Sequence, residues 1–153
     1  MIDDDAVLLA LRARLLTTSG LPAAANRVKV NKAYTQTPKV PYLEEDYTPA
    51  IPAMLSLPAQ GGTIEGRGLY VVRWYGIADT GTGAIRAGTT AILAKFAIGT
   101  TLTLTNGDAV RIGTPTDPPT GPYAGAIRPT GDGFAVSVIT IPFWILTANV
   151  IAA

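Results

Sequence analysis

The sequence predicts an α+β protein, a mainly antiparallel sheet with two helices packed on one face. Three observations predict it. Two segments repeat apolar residues at helical spacing, two runs near 69–77 and 134–141 carry them at strand spacing, and 16 glycines and 12 prolines cut the chain between these pieces. At 153 residues with 48% hydrophobic content, the chain fits one folded domain, 1–153.

The first helix follows Asp3, Asp4 and Asp5, whose carboxylates suit free amides and the positive end of the dipole. Val7, Leu8, Leu11 and Leu15 fall within roughly 100° of one another at helical spacing. Leu9 and Leu16 project to the other side, so the helix is expected to touch two partners. Gly20 and Pro22 supply the stop.

Residues 26–40 read as a short extended piece around Val28 and Val30 and then a polar loop. A strand is expected over 42–47, where consecutive Glu44, Glu45 and Asp46 must alternate between two faces; they are read as solvated rim charges. Over 69–77, Tyr70, Val72 and Trp74 line one face, and Leu69, Val71, Arg73, Tyr75 and Ile77 the other.

The turn residues 78–83 lead into a second helix over 84–97 with a stripe of Ile85, Thr89, Ile92, Leu93 and Phe96. Gly88 inside it costs about 1 kcal/mol relative to alanine, which points to close packing there. Leu102, Leu104, Val110 and Ile112 around Asn106-Gly107 predict a hairpin, with a loop long enough to set Leu104 against Val110 and Leu102 against Ile112.

Residues 113–133, with five prolines and five glycines, read as a long loop ordered on assembly. The run 134–141 is apolar on both faces and is expected at the centre of the sheet or under an interface. The stretch 133–153 carries no charge and is long enough for a membrane span, but Ser137, Pro142 and Asn149 interrupt it. A buried strand followed by an interface-forming tail around Phe143, Trp144, Ile145 and Leu146 is the better account.

Chemistry is sparsely signalled. The chain has no cysteine and no histidine, so thiol nucleophiles, histidine triads and cysteine–histidine metal sites are excluded. A net charge of +1 is too small for general attraction to a nucleic-acid backbone. Gly61 to Gly68 has part of a phosphate-loop spacing, but Arg67 stands where lysine is needed, Gly68 where a hydroxyl is needed, and a strand follows instead of a helix. No catalytic, cofactor-binding or metal-ligating residue is predicted, and no cofactor. The expectation is a protein that is not an enzyme. Arg67 and Arg73, bordering strands, are expected as intersubunit salt-bridge partners or edge charges.

The layout resembles the tail terminator proteins of long-tailed phages, lambda-like and related, over nearly the full chain. The resemblance rests on Ala10-Leu11-Arg12-Ala13-Arg14-Leu15 followed by Gly20-Leu21-Pro22, then Pro41-Tyr42-Leu43, then Gly66-Arg67-Gly68-Leu69-Tyr70 leading into a strand. The alanine-rich helix over 84–97 and Leu102-Thr103-Leu104 with its hairpin complete it.

The resemblance implies a non-enzymatic virion protein, a hexameric ring at the head-proximal end of the tail, built in the host cytoplasm. Such a ring caps the tail tube, stops its polymerisation and offers the surface that joins the head, with the tail tube protein and head–tail connector proteins as partners. No membrane and no sequence-specific nucleic acid is implied. A ring needs two different patches per subunit. The expected interface residues are Leu9, Leu16, Val138, Ile139, Phe143, Trp144, Arg67 and Arg73. A head–tail connector or tail completion protein, and a small ligand-binding domain, are the alternative readings.

Overall fold

The structure is a computed structural model of the chain and describes residues 2–30, 32–54 and 62–149. In chain order the elements are α1 (Asp4–Leu16), β1 (Arg27–Val28), β2 (Tyr42–Met54), β3 (Gly62–Ile77), α2 (Gly83–Lys95), β4 (Thr101–Thr103), β5 (Ala109–Ile112), β6 (Tyr123–Ala124), β7 (Arg128–Pro129) and β8 (Phe134–Asn149). The strands form one curled sheet in the order β1-β2-β3-β8-β5-β4, with β6 and β7 also on β8. Every pairing is antiparallel except β1 with β2. The fold is α+β with a mainly antiparallel sheet.

Asp3 caps α1 by accepting from the Ala6 amide at 3.0 Å, and Val7, Leu11 and Leu15 are buried on one side. The helix stops at Leu16, and Gly20 follows with φ +79°, a conformation that favours glycine.

Two strands run well past their expected limits, β2 to Met54 and β3 back to Gly62. The glycines at 62–68 suggest a loop in sequence but serve close approach in the sheet. A Cβ on Gly68 would lie 2.5 Å from the Phe143 ring and 2.7 Å from the Thr48 carbonyl, and one on Gly66 would collide with Ile2. As β3 lies between β2 and β8, the backbone of the phosphate-loop lookalike is spent on strand ladders, at least over Gly62–Gly68. Residue 61 lies outside the described residues.

The 134–141 strand also runs on, through Pro142 to Asn149. In an antiparallel ladder, the N–H and C=O of one residue point to the same side. The Pro142 carbonyl accepts from the Gly113 amide at 2.8 Å, so its missing N–H faces the gap between β5, which pairs from Phe143 onward, and β6, which pairs up to Thr140. Proline therefore interrupts no ladder bond there. The expected tail around Phe143 to Leu146 is instead part of the central strand.

The hairpin at 101–112 departs from the expected register. Leu102 lies opposite Val110, and the Leu104 amide donates to the Asp108 carbonyl at 2.7 Å. Three residues, Thr105, Asn106 and Gly107, make the loop, with Gly107 at φ +89°. The match of apolar faces survives, but it slides by two residues because this loop closes on Leu104 itself. In the 113–133 segment, β6 and β7 pair with β8, so parts of it are sheet within a single subunit.

The main core joins Val7, Leu11 and Leu15 of α1 with Ile85, Ile92 and Phe96 from α2 and its end, under Tyr70, Val72, Ile139 and Phe143 of the sheet. Gly88 is explained by Trp74, whose ring would lie 2.7 Å from a Cβ at that position. A smaller cluster gathers Val28, Tyr42 and Phe134, with the Tyr42 and Tyr75 rings stacked at 4.2 Å.

Candidate functional site

Alternation along β3 and β8 sorts the residues into two faces. In β8 the odd positions from Ala135 to Thr147 are all buried, whereas among the even ones Phe134 and Pro142 are buried, Val136, Val138, Thr140 and Trp144 are half-buried and Leu146 is exposed. The register sets odd residues of β3 beside even residues of β8, so Val138 neighbours Arg73, Thr140 neighbours Val71, Pro142 neighbours Leu69 and Trp144 neighbours Arg67. The second face is therefore partly uncovered, with covered positions at Phe134 and Pro142.

Exposed apolar residues gather toward one end of it. A cross-strand row runs Ile51, Arg67, Trp144, Arg111, and the next runs Ala53, Glu65, Leu146, Ala109. Ile51 is 73% exposed, Leu69 and Leu146 are exposed as well, and the Arg111 guanidinium sits over the Trp144 ring at 5.2 Å. Half-buried Trp144 and exposed Ile51, Leu69 and Leu146, crossed by the Arg67–Glu65 ion pair and bordered by Arg111, make a mixed apolar and charged patch of the kind that serves contact with a partner.

The expected interface residues divide by face. Val138, Trp144, Arg67 and Arg73 all reach the uncovered surface. Ile139 at 0% and Phe143 at 1% exposure point the other way, into the subunit's own core, and a side chain so covered has no area to offer a neighbour. Their apolar character was readable in the sequence, but the face they occupy depends on register. Leu9 and Leu16 stand on the outer side of α1, 60% and 48% exposed. Ile51, Leu69 and Arg111 were not among the expected interface residues; for Leu69 the available signal was its place on the face opposite Tyr70, Val72 and Trp74.

Both arginines already have partners within the chain. Arg67 pairs with Glu65, and Arg73 donates to Glu44 at 3.0 Å and lies 3.6 Å from Asp46. They are intrasubunit ion pairs on the sheet surface, of modest energetic worth where exposed.

The carboxylate run at 44–46 splits between faces, as its spacing requires, but Glu45 is not a rim charge. It is buried, accepts from the Tyr70 hydroxyl at 2.6 Å, and pairs with Arg12 of α1, whose Nε donates at 2.8 Å. The hydrogen bond to Glu45 holds the Arg12 guanidinium above its ordinary pKa, against the opposing effect of burial. A second, half-buried contact joins the Tyr47 hydroxyl to Asp4 at 2.6 Å. These groups satisfy one another and fasten α1 to β2 and β3. No cluster of three or more acidic residues able to hold a metal occurs among the described residues, and no helix among them is long and apolar enough to cross a membrane.

No known protein family matches the sequence, and no curated protein does. Solved structures do match. One that carries no functional description aligns over 95% of this chain and 96% of its own, with a TM-score of 0.67 and 21% identity. A chain of the virion of a native gene transfer agent particle aligns over 94% and 96%, with a TM-score of 0.57 and 14% identity. At such identities the likeness is one of fold.

Proposed function

We propose that this chain is a structural protein of a phage-type virion, acting as one domain in a tail-terminator-like ring. The observation that carries the reading is the likeness of fold, over 94% of the chain, to a chain of the gene transfer agent virion. In this reading, copies of the subunit close into a hexameric ring at the head-proximal end of the tail, formed in the host cytoplasm. The ring caps the tail tube, stops its polymerisation and offers a surface to head–tail connector proteins. In this reading the protein is not an enzyme: its buried ionic group, Arg12–Glu45–Tyr70, is engaged in holding α1 to the sheet.

In the same reading both helices cover one face of the sheet and leave the other for assembly. Two contacts support this: Arg12 of α1 pairs with Glu45, and Gly88 of α2 abuts Trp74. Glu45 and Trp74 share a face, since Glu45 lies opposite Val72 and Leu43 opposite Trp74.

The test is sedimentation and electron microscopy of the purified protein with and without isolated tail tubes. Rings seated on tube ends, together with tubes of arrested length, are the expected result. A 15.9 kDa monomer at every concentration that never associates with tubes overturns the proposal.

A further inference from the structure

The two exposed apolar patches of this subunit differ in charge as well as in place. On α1, Asp5, Leu9, Ala13 and Leu16 recur at spacings of four and three and are all exposed, so they form one stripe along the side away from Val7, Leu11 and Leu15. Its N-terminal end is acidic: Asp3 and Asp5 are both exposed, and Asp5 makes no salt bridge among the described residues.

The sheet patch is the complement. Ile51, Leu69, Trp144 and Leu146 supply the apolar area, and Arg111 makes no salt bridge among the described residues. Arg67, on the same row, is partly neutralised by Glu65. From Asp5 to Leu16 the helix stripe runs about 16 Å at 1.5 Å per residue. The sheet patch extends about 14 Å across the strands from Ile51 to Arg111 and about 13 Å along them from Leu69 to the row of Leu146. The two areas are commensurate.

The patches cannot meet within one subunit, because α1 packs its inner side on the buried face that carries Glu45 and Val72, whereas the sheet patch lies on the reverse. We infer that a second copy of this chain is the occupant: the outer stripe of α1 in one subunit seats on the Ile51–Trp144–Leu146 patch of the next, with its acidic end toward Arg111. This contact is heterologous, the kind that propagates from copy to copy and closes a ring. The inference rests on the ring-forming reading above and names the two surfaces that make its joint.

The absence of cysteine from the chain allows a direct test. Leu16→Cys and Ile51→Cys, both exposed and both at the end of the joint away from Arg111, are introduced singly and together, and assembled protein is oxidised gently before denaturing electrophoresis. The double variant is expected to give a ladder of covalent multimers ending at the ring size, while each single variant stays monomeric.

A second variant tests charge. Arg111→Glu should raise the concentration needed for half-assembly on the order of ten-fold, and adding Asp5→Arg to the same chain should recover most of that loss. If wild-type protein forms rings but the double-cysteine variant gives no ladder and Arg111→Glu assembles normally, this joint is wrong, the sheet patch serves another partner such as the tube, and the ring reading stands. If wild-type protein forms no ring with or without tubes, the reading beneath it fails.

Discussion

The Tyr70 hydroxyl donates a 2.6 Å hydrogen bond to Oε2 of Glu45, and this carboxylate also pairs with Arg12, joining β3, β2 and α1 at one buried point. A buried charge is tolerated only when its oxygens are occupied. Tyr70→Phe, which removes one of those donors, should cost about 1–3 kcal/mol, read as a lower urea midpoint.

The same tyrosine predicts alkaline unfolding. Burial first, then the Glu45 charge, push the Tyr70 hydroxyl far above the usual phenol value; burial and the bond to Asp4 do likewise for Tyr47, and burial brings Tyr42 up to about 12. Below the unfolded value of about 10 both states keep these protons, so the contribution is intact there. Above it the unfolded chain ionises first, and stability falls as pH rises toward the folded values by up to about 1.4 kcal/mol per unit for each tyrosine. Tyrosinate absorbance from Tyr70 and Tyr47 should therefore rise together with the loss of circular dichroism, not before it.

Gly88→Ala and Gly83→Ala should differ in sign. Alanine is the better helix former by about 1 kcal/mol in a helix interior, and at Gly83, the first residue of α2, nothing lies within 4 Å to oppose a smaller gain. At Gly88 the new methyl would press on the Trp74 ring at 2.7 Å, and overpacking of that kind costs about 1–3 kcal/mol. Thermal melts of the two variants compare the effects within one helix; equal shifts would contradict this packing.

Val138→Asp and Ile139→Asp separate assembly from folding. Ile139 is fully covered, so a carboxylate there should cost more than about 4 kcal/mol and yield unfolded or insoluble protein. Val138 is half-buried beside Arg73, so its variant should stay folded, with a cost of about 1 kcal/mol, and reveal any effect on ring formation by sedimentation.

Much of this fold was legible from local patterns because those patterns are local in origin. The aspartates before α1, the stripe of Ile85, Ile92 and Phe96, and the alternation over 69–77 each reflect the geometry of a single element. Strand lengths were less legible, since Gly66, Gly68 and Pro142 read as breakers until Ile2, Phe143 and the gap between β5 and β6 account for them. Of the expected interface, Leu9 and Leu16 were readable as the outer side of a helix, whereas a strand apolar on both sides gave no ground for choosing between Val138 and Ile139.

By itself, then, the sequence determined an α+β fold, the order of its two helices and main strands, and the exclusion of thiol and imidazole chemistry, because residue inventory and periodicity are properties of the chain alone. Only the tertiary structure decided that Glu45 is a buried anchor, that Ile139 and Phe143 face inward, and that Ile51, Leu69, Trp144 and Arg111 share a surface. Those outcomes depend on strand register, and a shift of one residue would have exchanged the two faces.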